Sequence, residues 1–324
     1  MTEYYQSYEH GIIRVKVPVP FPLQWVNGYI LRSGDGYTII DPGLHTDKAV
    51  DVWQTVLREL HIESDQIDRV VLTHHHPDHY GLAGWMQEWT GCDVYMSPEG
   101  HQLAKRLWGE SETMTEELCS LFEQHGLPSN QLQQMREHMR GFIPLVSPQP
   151  EVRYLTEGDE WQAGELSFRT VTVSGHAYRH LVFIDEAKKL MFCGDHVLPR
   201  ITPNISFIPN EDPDPLDSFL QGLDKLATYE VEAIYPGHRD PFSDLKSRTA
   251  SLKAHHEERL QTMVEQLDEP QTVYALCTSL FGERLSIHQL RFAMSETLAH
   301  LIYLSNRGQI IQEGDDDLRR FVRV

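Results

Sequence analysis

The sequence predicts an α/β protein with a smaller, mostly helical unit towards its C-terminal end. Three observations carry this reading. Short apolar runs alternate with helix-periodic stretches up to about residue 97. A second strand-rich stretch runs from Val152 to Cys193. Past about Pro241 the apolar spacing turns helical and stays so almost to the end. A chain of 324 residues is ample for one large core plus a smaller domain. The expected division is a main domain over residues 1–245, with a helical insertion over 98–150, and a C-terminal domain over 246–324.

The elements follow in order. Residues 12–19 alternate enough for a first strand. Trp25 to Leu31 and Tyr37 to Ile40 form a hairpin around Ser33-Gly34-Asp35-Gly36, whose glycines tolerate positive φ. Asp41-Pro42-Gly43 ends that strand. Val50, Trp53, Val56, Leu57 and Leu60 have the spacing of a helix over Asp47 to Leu60, packed on the sheet. Val70, Val71 and Leu72 read as a buried strand, Leu82 to about Trp89 as a helix, and Val94 to Met96 as a further strand. In the insertion, Leu118, Leu121, Phe122 and His125 share helical spacing, as do Leu132, Met135, Met139 and Phe142, with Pro128 between the runs. Such stripes are more often core than cofactor contact, so a helical pair packed on its own core is expected. A lid with an adaptable methionine wall is the alternative. Leu166 to Val173, Leu181 to Ile184 and Leu190 to Cys193 supply a second sheet, and Leu216 to Ala227 a helix. The tail predicts helices over Leu252 to Leu267, Thr272 to Phe281 and Ser286 to Asn306. A terminal hairpin follows around Gly314-Asp315-Asp316-Asp317.

Function is concentrated in one stretch. The strand Val70 to Leu72 stops at Thr73, and residues 74–79 then hold four histidines and an aspartate. Imidazole nitrogen and carboxylate oxygen suit zinc and similar divalent ions. His74 and His76 are two apart, so on extended chain they leave one face and can hold one ion. Asp78 and His79 come after the turn and can address a second. The plain alternative is a His-rich polar loop, which the strand-then-helix context disfavours.

Composition narrows the class. A formal net charge of −20 argues against a large polyanion such as nucleic acid as the main partner. No apolar run approaches a membrane span, and no charged-then-apolar leader is seen. Cys92, Cys119, Cys193 and Cys277 are scattered, without a paired redox or zinc-knuckle spacing. The expectation is a protein of the reducing cytoplasm without a membrane partner.

His74-x-His76-x-Asp78-His79 resembles the signature of the metallo-β-lactamase superfamily. Three further motifs match in order: Ser174-Gly175-His176, Gly194-Asp195 after an apolar strand, and Gly237-His238 after another. Asn27 to Leu31 and Ile39 to Gly43 resemble that family's opening hairpin, so the likeness runs from about Trp25 to His238. It implies a four-layer αβ/βα sandwich of two mixed sheets with metals at one edge. It further implies that His74, His76 and His176 hold one ion, that Asp78, His79 and His238 hold a second, and that Asp195 bridges them. Zinc is the default, with iron or manganese fitting the same donors. Asp41 is either a support behind these groups or a turn residue. His180 is expected behind the ligands too, and His75 facing away. The tail, helices followed by a hairpin, resembles the small winged-helix domain appended to some hydrolases of this superfamily. Its balanced charge and acidic turn point to packing or dimerisation, closing one side of the pocket, and leave a homodimer open.

The reaction implied is hydrolysis of a small ester, thioester or lactone, of the kind glyoxalase II performs. A metal-bridging hydroxide is the nucleophile and Asp78 helps to orient it. Residues 196–204, proline-rich and starting at Asp195, should line the mouth of the site. Arg200 is the favoured substrate-binding cation, because a guanidinium grips a carboxylate or phosphate in two places. A surface salt bridge is its plain alternative. Leu198 stands where acyl-homoserine lactonases of the family carry a tyrosine. The alternatives are a nuclease or phosphodiesterase, a mononuclear-iron persulfide dioxygenase, and a non-catalytic binding protein. The last would require a missing ligand, and none is missing. Flavodiiron proteins differ at His76 and carry a flavodoxin domain absent here.

Overall fold

A computed structural model describes residues 4–109, 113–314 and 317–324. The expected acidic turn residues Asp315 and Asp316 lie outside them. The first half comprises β1 (Tyr5–Ser7), β2 (Ile13–Pro18), β3 (Trp25–Ser33), β4 (Gly36–Ile40), α1 (Asp47–Glu59), β5 (Ile67–Val71), a one-turn α2 (Pro77–Tyr80), α3 (Ala83–Thr90) and β6 (Asp93–Met96). Three helices of the insertion follow, α4 (Pro98–Trp108), α5 (Thr113–Gln124) and α6 (Ser129–Arg140), and then β7 (Val152–Tyr154). The second half comprises β8 (Glu160–Ala163), β9 (Leu166–Val173), β10 (His180–Asp185), β11 (Leu190–Gly194), α7 (Pro215–Leu226) and β12 (Ala233–Pro236). The tail is α8 (Leu245–Gln266), α9 (Val273–Phe281), α10 (Ile287–Asn306) and the hairpin β13 (Ile310–Gly314) and β14 (Arg319–Arg323). Strands β1, β7 and β8 are too short or too exposed for their own periodicity to announce them.

A seven-stranded sheet runs β1 to β7 in chain order, antiparallel as far as β4 and parallel from there. A five-stranded sheet has the order β12-β11-β10-β9-β8, with only β11 and β12 parallel. Period-two alternation divides β3 between two cores. Tyr29 and Leu31 point at the second sheet, where they meet Phe168, Phe183 and Phe192, whereas Ile30 points the other way at Trp53 and Val56 of α1. On the far side of the second sheet, Val171, Val182 and Met191 pack on Leu216, Phe219 and Leu223 of α7. Helix, sheet, sheet and helix therefore stack as four layers, the mixed α/β metallo-β-lactamase architecture. Sheets covered on both faces explain why β10 and β11 are buried throughout, β10 running apolar from Leu181 to Ile184 between its polar ends, rather than alternating.

The insertion departs from expectation. Helices α5 and α6 do not form a core of their own. Leu118, Phe122, Leu132 and Met135 share one core with Met263 of α8, Leu276 of α9, and Met294 and Leu298 of α10. The stripes are too short to close a core between two helices, and the tail completes it. Helix α8 joins this unit to the main body: Leu245 and Leu252 pack under the second sheet, whereas Met263 lies in the tail core. Among the described residues no helix is long and apolar enough to cross a membrane.

The two sheets are tied together at one end. Tyr29 Oη donates to the Pro236 carbonyl at 2.6 Å, and the Asn27 side chain donates to the carbonyls of Pro236 at 3.0 Å and Arg239 at 2.6 Å. Leu181 N donates to the Thr73 carbonyl at 2.8 Å. These bonds bring the ends of β5, β11 and β12 together, and with them the histidine motifs.

Candidate metal centre

The chain leaves β5 extended, then turns into α2, whose first residue Pro77 suits a helix start because its missing N–H would be unpaired there anyway. This places His74 and His76 before the turn and Asp78 and His79 after it. His176 arrives after β9, Asp195 at the end of β11 and His238 at the end of β12. Two groups of ligand atoms each lie within 4.8 Å of one another: His74, His76 and His176, and Asp78, His79 and His238. Asp195 Oδ2 sits between them, 3.6 Å from His176 Nε2, 3.4 Å from His79 Nε2 and 3.3 Å from His238 Nε2. The seven residues singled out in the sequence are thus brought to one place.

Hydrogen bonds behind the rings fix their orientation. Thr73 Oγ1 donates to Asp41 Oδ2 at 2.7 Å, which leaves that hydroxyl as acceptor for His74 Nδ1–H at 2.9 Å. His79 Nδ1–H donates to Asp41 Oδ2 at 2.9 Å, His176 Nδ1–H to the Asn204 carbonyl at 2.9 Å, and His238 Nδ1–H to the Trp25 carbonyl at 3.1 Å. Each bond fixes the orientation of its ring and turns Nε2 inward. Asp41, His74 and His79 also fall within 4.8 Å of one another. However, Asp41 already accepts from Thr73 N, Thr73 Oγ1 and His79, so it serves as an anchor behind the rings. Its φ of 52° also marks the turn that ends β4. His180 Nε2 accepts from Asp195 N at 3.2 Å and so lies behind Asp195. Crowding fixes two glycines. A Cβ on Gly237 would meet Asp195 Oδ1 at 2.2 Å and His79 Cε1 at 2.6 Å, and one on Gly194 would meet His180 Nε2 at 2.6 Å.

The donors suit divalent cations. Three buried atoms facing the cluster, His79 Nε2, His176 Nε2 and Asp195 Oδ1, have no hydrogen-bond partner, an arrangement that is unfavourable unless something else binds them. Burial, reinforced by neighbouring imidazoles, pushes His74 and His76 well below the ordinary histidine pKa and so keeps them neutral, the form that binds metal. Burial also opposes charge on His79 and His238, but the carboxylates outweigh it. Asp195, Asp41 and Asp78 raise His79, and Asp195 and Asp78 raise His238 to about 10. The acidic side of the cluster calls for positive charge, which divalent ions would meet.

The cluster forms the floor of a cavity of about 440 Å³. His76, Asp78, His176, Asp195 and His238 line it. Its walls are mainly apolar, with Phe21 and Phe142 on one side, Leu198 and Ile201 after Asp195, and Phe281 and Phe292 from the tail. Of residues 196–204, Leu198 and Ile201 to Asn204 line the cavity, whereas Arg200 is exposed and absent from the lining. Adjacency to Asp195 in sequence suggested Arg200; the coil turns its side chain to solvent. The cation in the wall is Arg291 of α10, which sequence reading missed because only the folded tail brings it there. His75 is buried and faces a small void of about 30 Å³ beside Trp108. His45 bonds the Ser147 carbonyl and His256 bonds His300, so neither belongs to the cluster.

Comparison with known proteins agrees with this geometry. The model of the metallo-β-lactamase superfamily matches residues 26–238, and that of the metallo-β-lactamase-like C-terminal domain matches residues 260–324. The fold is similar to the metallo-β-lactamase family protein TTHA1429 from Thermus thermophilus, at TM-score 0.86 and 32% identity, covering 97% of this chain and 99% of that one. The sequence is 25% identical over 302 residues to the probable metallo-hydrolase YqjP of Bacillus subtilis, covering 90% of this chain and 91% of that protein. It is 23% identical over 242 residues to the atrochrysone carboxyl ACP thioesterase of Emericella nidulans, covering 75% of this chain but 60% of that enzyme. The chain belongs to the metallo-β-lactamase superfamily, and its place there is that of a metallo-hydrolase.

Proposed function

We propose that the chain hydrolyses a small thioester, ester or lactone, with two divalent ions, zinc by default, held by His74, His76 and His176 and by Asp78, His79 and His238, and with Asp195 between them. The observation that carries this reading is the position of the cluster: it floors a small cavity whose walls are apolar. Such walls suit an acyl chain or ring, whereas a polyanionic backbone would meet a single lining cation, Arg291, among the described residues. Likeness to an acyl-carrier-protein thioesterase supports the same class. Four free, buried cysteines agree with a reducing compartment.

Bound divalent ions would supply Lewis acidity, polarising a carbonyl and making a water more acidic. The chain's own part is positional. His74, His79, His176 and His238 are locked by their Nδ1 bonds, so the donor set is preorganised. Asp78 is the carboxylate open to the cavity, with its side chain 18% exposed against 7% for Asp195. Burial opposes its ionisation, but His79 and a hydrogen bond from His238 outweigh this and hold its pKa below the ordinary value. A water on the cavity floor therefore meets an ionised acceptor that can orient it and take its proton. The apolar walls seat the acyl part and exclude bulk water from the floor.

The test pairs metal analysis of the purified protein with a screen of thioesters, lactones, phosphodiesters and RNA. The expected result is about two zinc per chain, with thioester, ester or lactone turnover that chelation abolishes. Cleavage of RNA or phosphodiesters alone would replace this reading with a nuclease. A single iron with oxygen uptake would replace it with a dioxygenase.

A further inference from the structure

Arg291 stands out in the cavity wall. It is the sole lysine or arginine among the described residues lining the cavity. Its guanidinium is sandwiched by rings, 4.3 Å from the centroid of Phe292 and 5.6 Å from that of Phe142. Nη1 reaches only the Met139 sulfur, at 3.4 Å, and Nε is buried without a partner. No ion pair to a carboxylate is formed by Arg291 among the described residues. Asp78 is the acid whose field reaches it, but that carboxylate is engaged by His238 at 3.2 Å. Arg259 of α8, which stacks on the lining residue Phe281 but does not itself line the cavity, shows the contrast: it is paired with Glu296 at 2.7 Å.

Arg291 is half-buried with its Nε withdrawn from solvent. Withdrawing a cation from water without a counter-charge is unfavourable, and one kept so beside a reaction site points to an anionic ligand. The aromatic rings hold the planar fork in place, so little freedom is lost when an anion docks. We propose that Arg291 is the specificity-determining residue of this pocket: it selects acyl substrates that carry an anionic group, carboxylate or phosphate, on an apolar body. The body would lie against Phe21, Leu198 and Phe281, with the anion turned towards Arg291. His288 and Gln289, on the same helix and also in the wall, stand beside that position. This rests on the hydrolase reading above for the identity of the reacting bond, but not for the anion site itself.

Calorimetric titration of the metal-loaded protein with phenylacetate, phenyl phosphate and the neutral phenylacetamide tests it without turnover. The expected result is that one or both anions bind the wild type more tightly than the amide does. Arg291→Met should then weaken the anion at least tenfold while leaving the amide and the metal content unchanged. Arg291→Lys should fall between. Should the Met variant not fold, Arg291→Gln gives the same readout. Loss of phenylacetate binding alone marks a carboxylate site, and loss of phenyl phosphate alone a phosphate site. Anion affinity that survives in Arg291→Met would come from the metals and overturns the proposal. So does a wild type that binds no probe, or that binds the amide as tightly as the anions. Anion binding through Arg291 in a protein that hydrolyses nothing would sink the hydrolase reading and leave this one standing.

Discussion

At the scale of single residues, the centre depends on groups that hold other groups in place. Asp41 takes hydrogen bonds from Thr73 N, Thr73 Oγ1 and His79 Nδ1, all of them buried. Asp41→Ala would leave three buried donors without an acceptor, each worth roughly 1–3 kcal/mol. It would also free the His79 ring, so metal affinity should fall about 10–100-fold. Thermal unfolding and competitive chelator titration read the two effects separately; unchanged chelator competition would show that Asp41 orients nothing. Asp78→Ala and His76→Ala should act differently. Both side chains face the cavity and support little packing, so hydrolysis is expected to vanish while the near-UV circular dichroism stays that of the folded protein. Full activity in either variant would remove the mechanism. How much of this was legible follows from locality. His74, His76, Asp78 and His79 lie within six residues, so their spacing carries the chemistry by itself. Asp41 could be read equally as turn or support, and the structure shows both: a φ of 52° and three accepted bonds. Arg291 was not legible. Charge counting sets it against the acids of the tail, because nothing local distinguishes an arginine turned into a cavity from one turned to solvent.

At the scale of elements, the insertion and the tail are one packing unit. Periodicity found α5, α6, α9 and α10 because each has an apolar stripe, but a stripe does not say which stripe it meets. The answer lies in long-range contacts, with Leu118 and Phe122 in one core with Met294 and Leu298. The cavity lies where this unit meets the main body: Phe142, from the end of the insertion, packs in the core of the first sheet, and Phe292 reaches the cavity from α10. Leu298 is almost fully buried in it. Leu298→Ala should cost about 2–5 kcal/mol from lost burial and the cavity left behind. Hydrogen exchange should then accelerate in α5 and α6 together with α9 and α10, because the four share one core. Acceleration confined to α9 and α10 would mean that the insertion holds itself together, as its sequence alone suggested.

At the scale of the whole molecule, two buried acids contribute stability that is lost as the solution is made alkaline, whereas histidines buried in the neutral form, such as His75 and His196, act in the opposite sense at acid pH. Burial pushes Glu211 up from 4.5 to about 8, against the pull of Arg106, whose Nη1 is 3.6 Å away. Burial likewise pushes Glu296 up to about 7, opposed by Arg259. Both values lie above those of the unfolded chain. Below about pH 4.5 the protonated acid is present in both states and its stabilising share is intact. Between there and about pH 8 the native state retains a proton that the unfolded chain has already released, so unfolding becomes easier as pH rises. At about 1.4 kcal/mol per unit, the Glu211 span bounds the loss at roughly 4–5 kcal/mol, and relaxation around the Arg106 pair should reduce it to on the order of 2 kcal/mol. The net charge of −20 adds self-repulsion in the same direction. Glu211→Gln separates the two contributions, because it removes the titration and changes the total charge by one at most. Denaturant melts of wild type and variant from pH 5 to pH 9 should therefore diverge, with the variant the more stable above pH 8 and its slope the flatter. Parallel curves would mean that Glu211 is ionised in the native state at neutral pH, held so by Arg106, and that the alkaline loss comes from net charge alone.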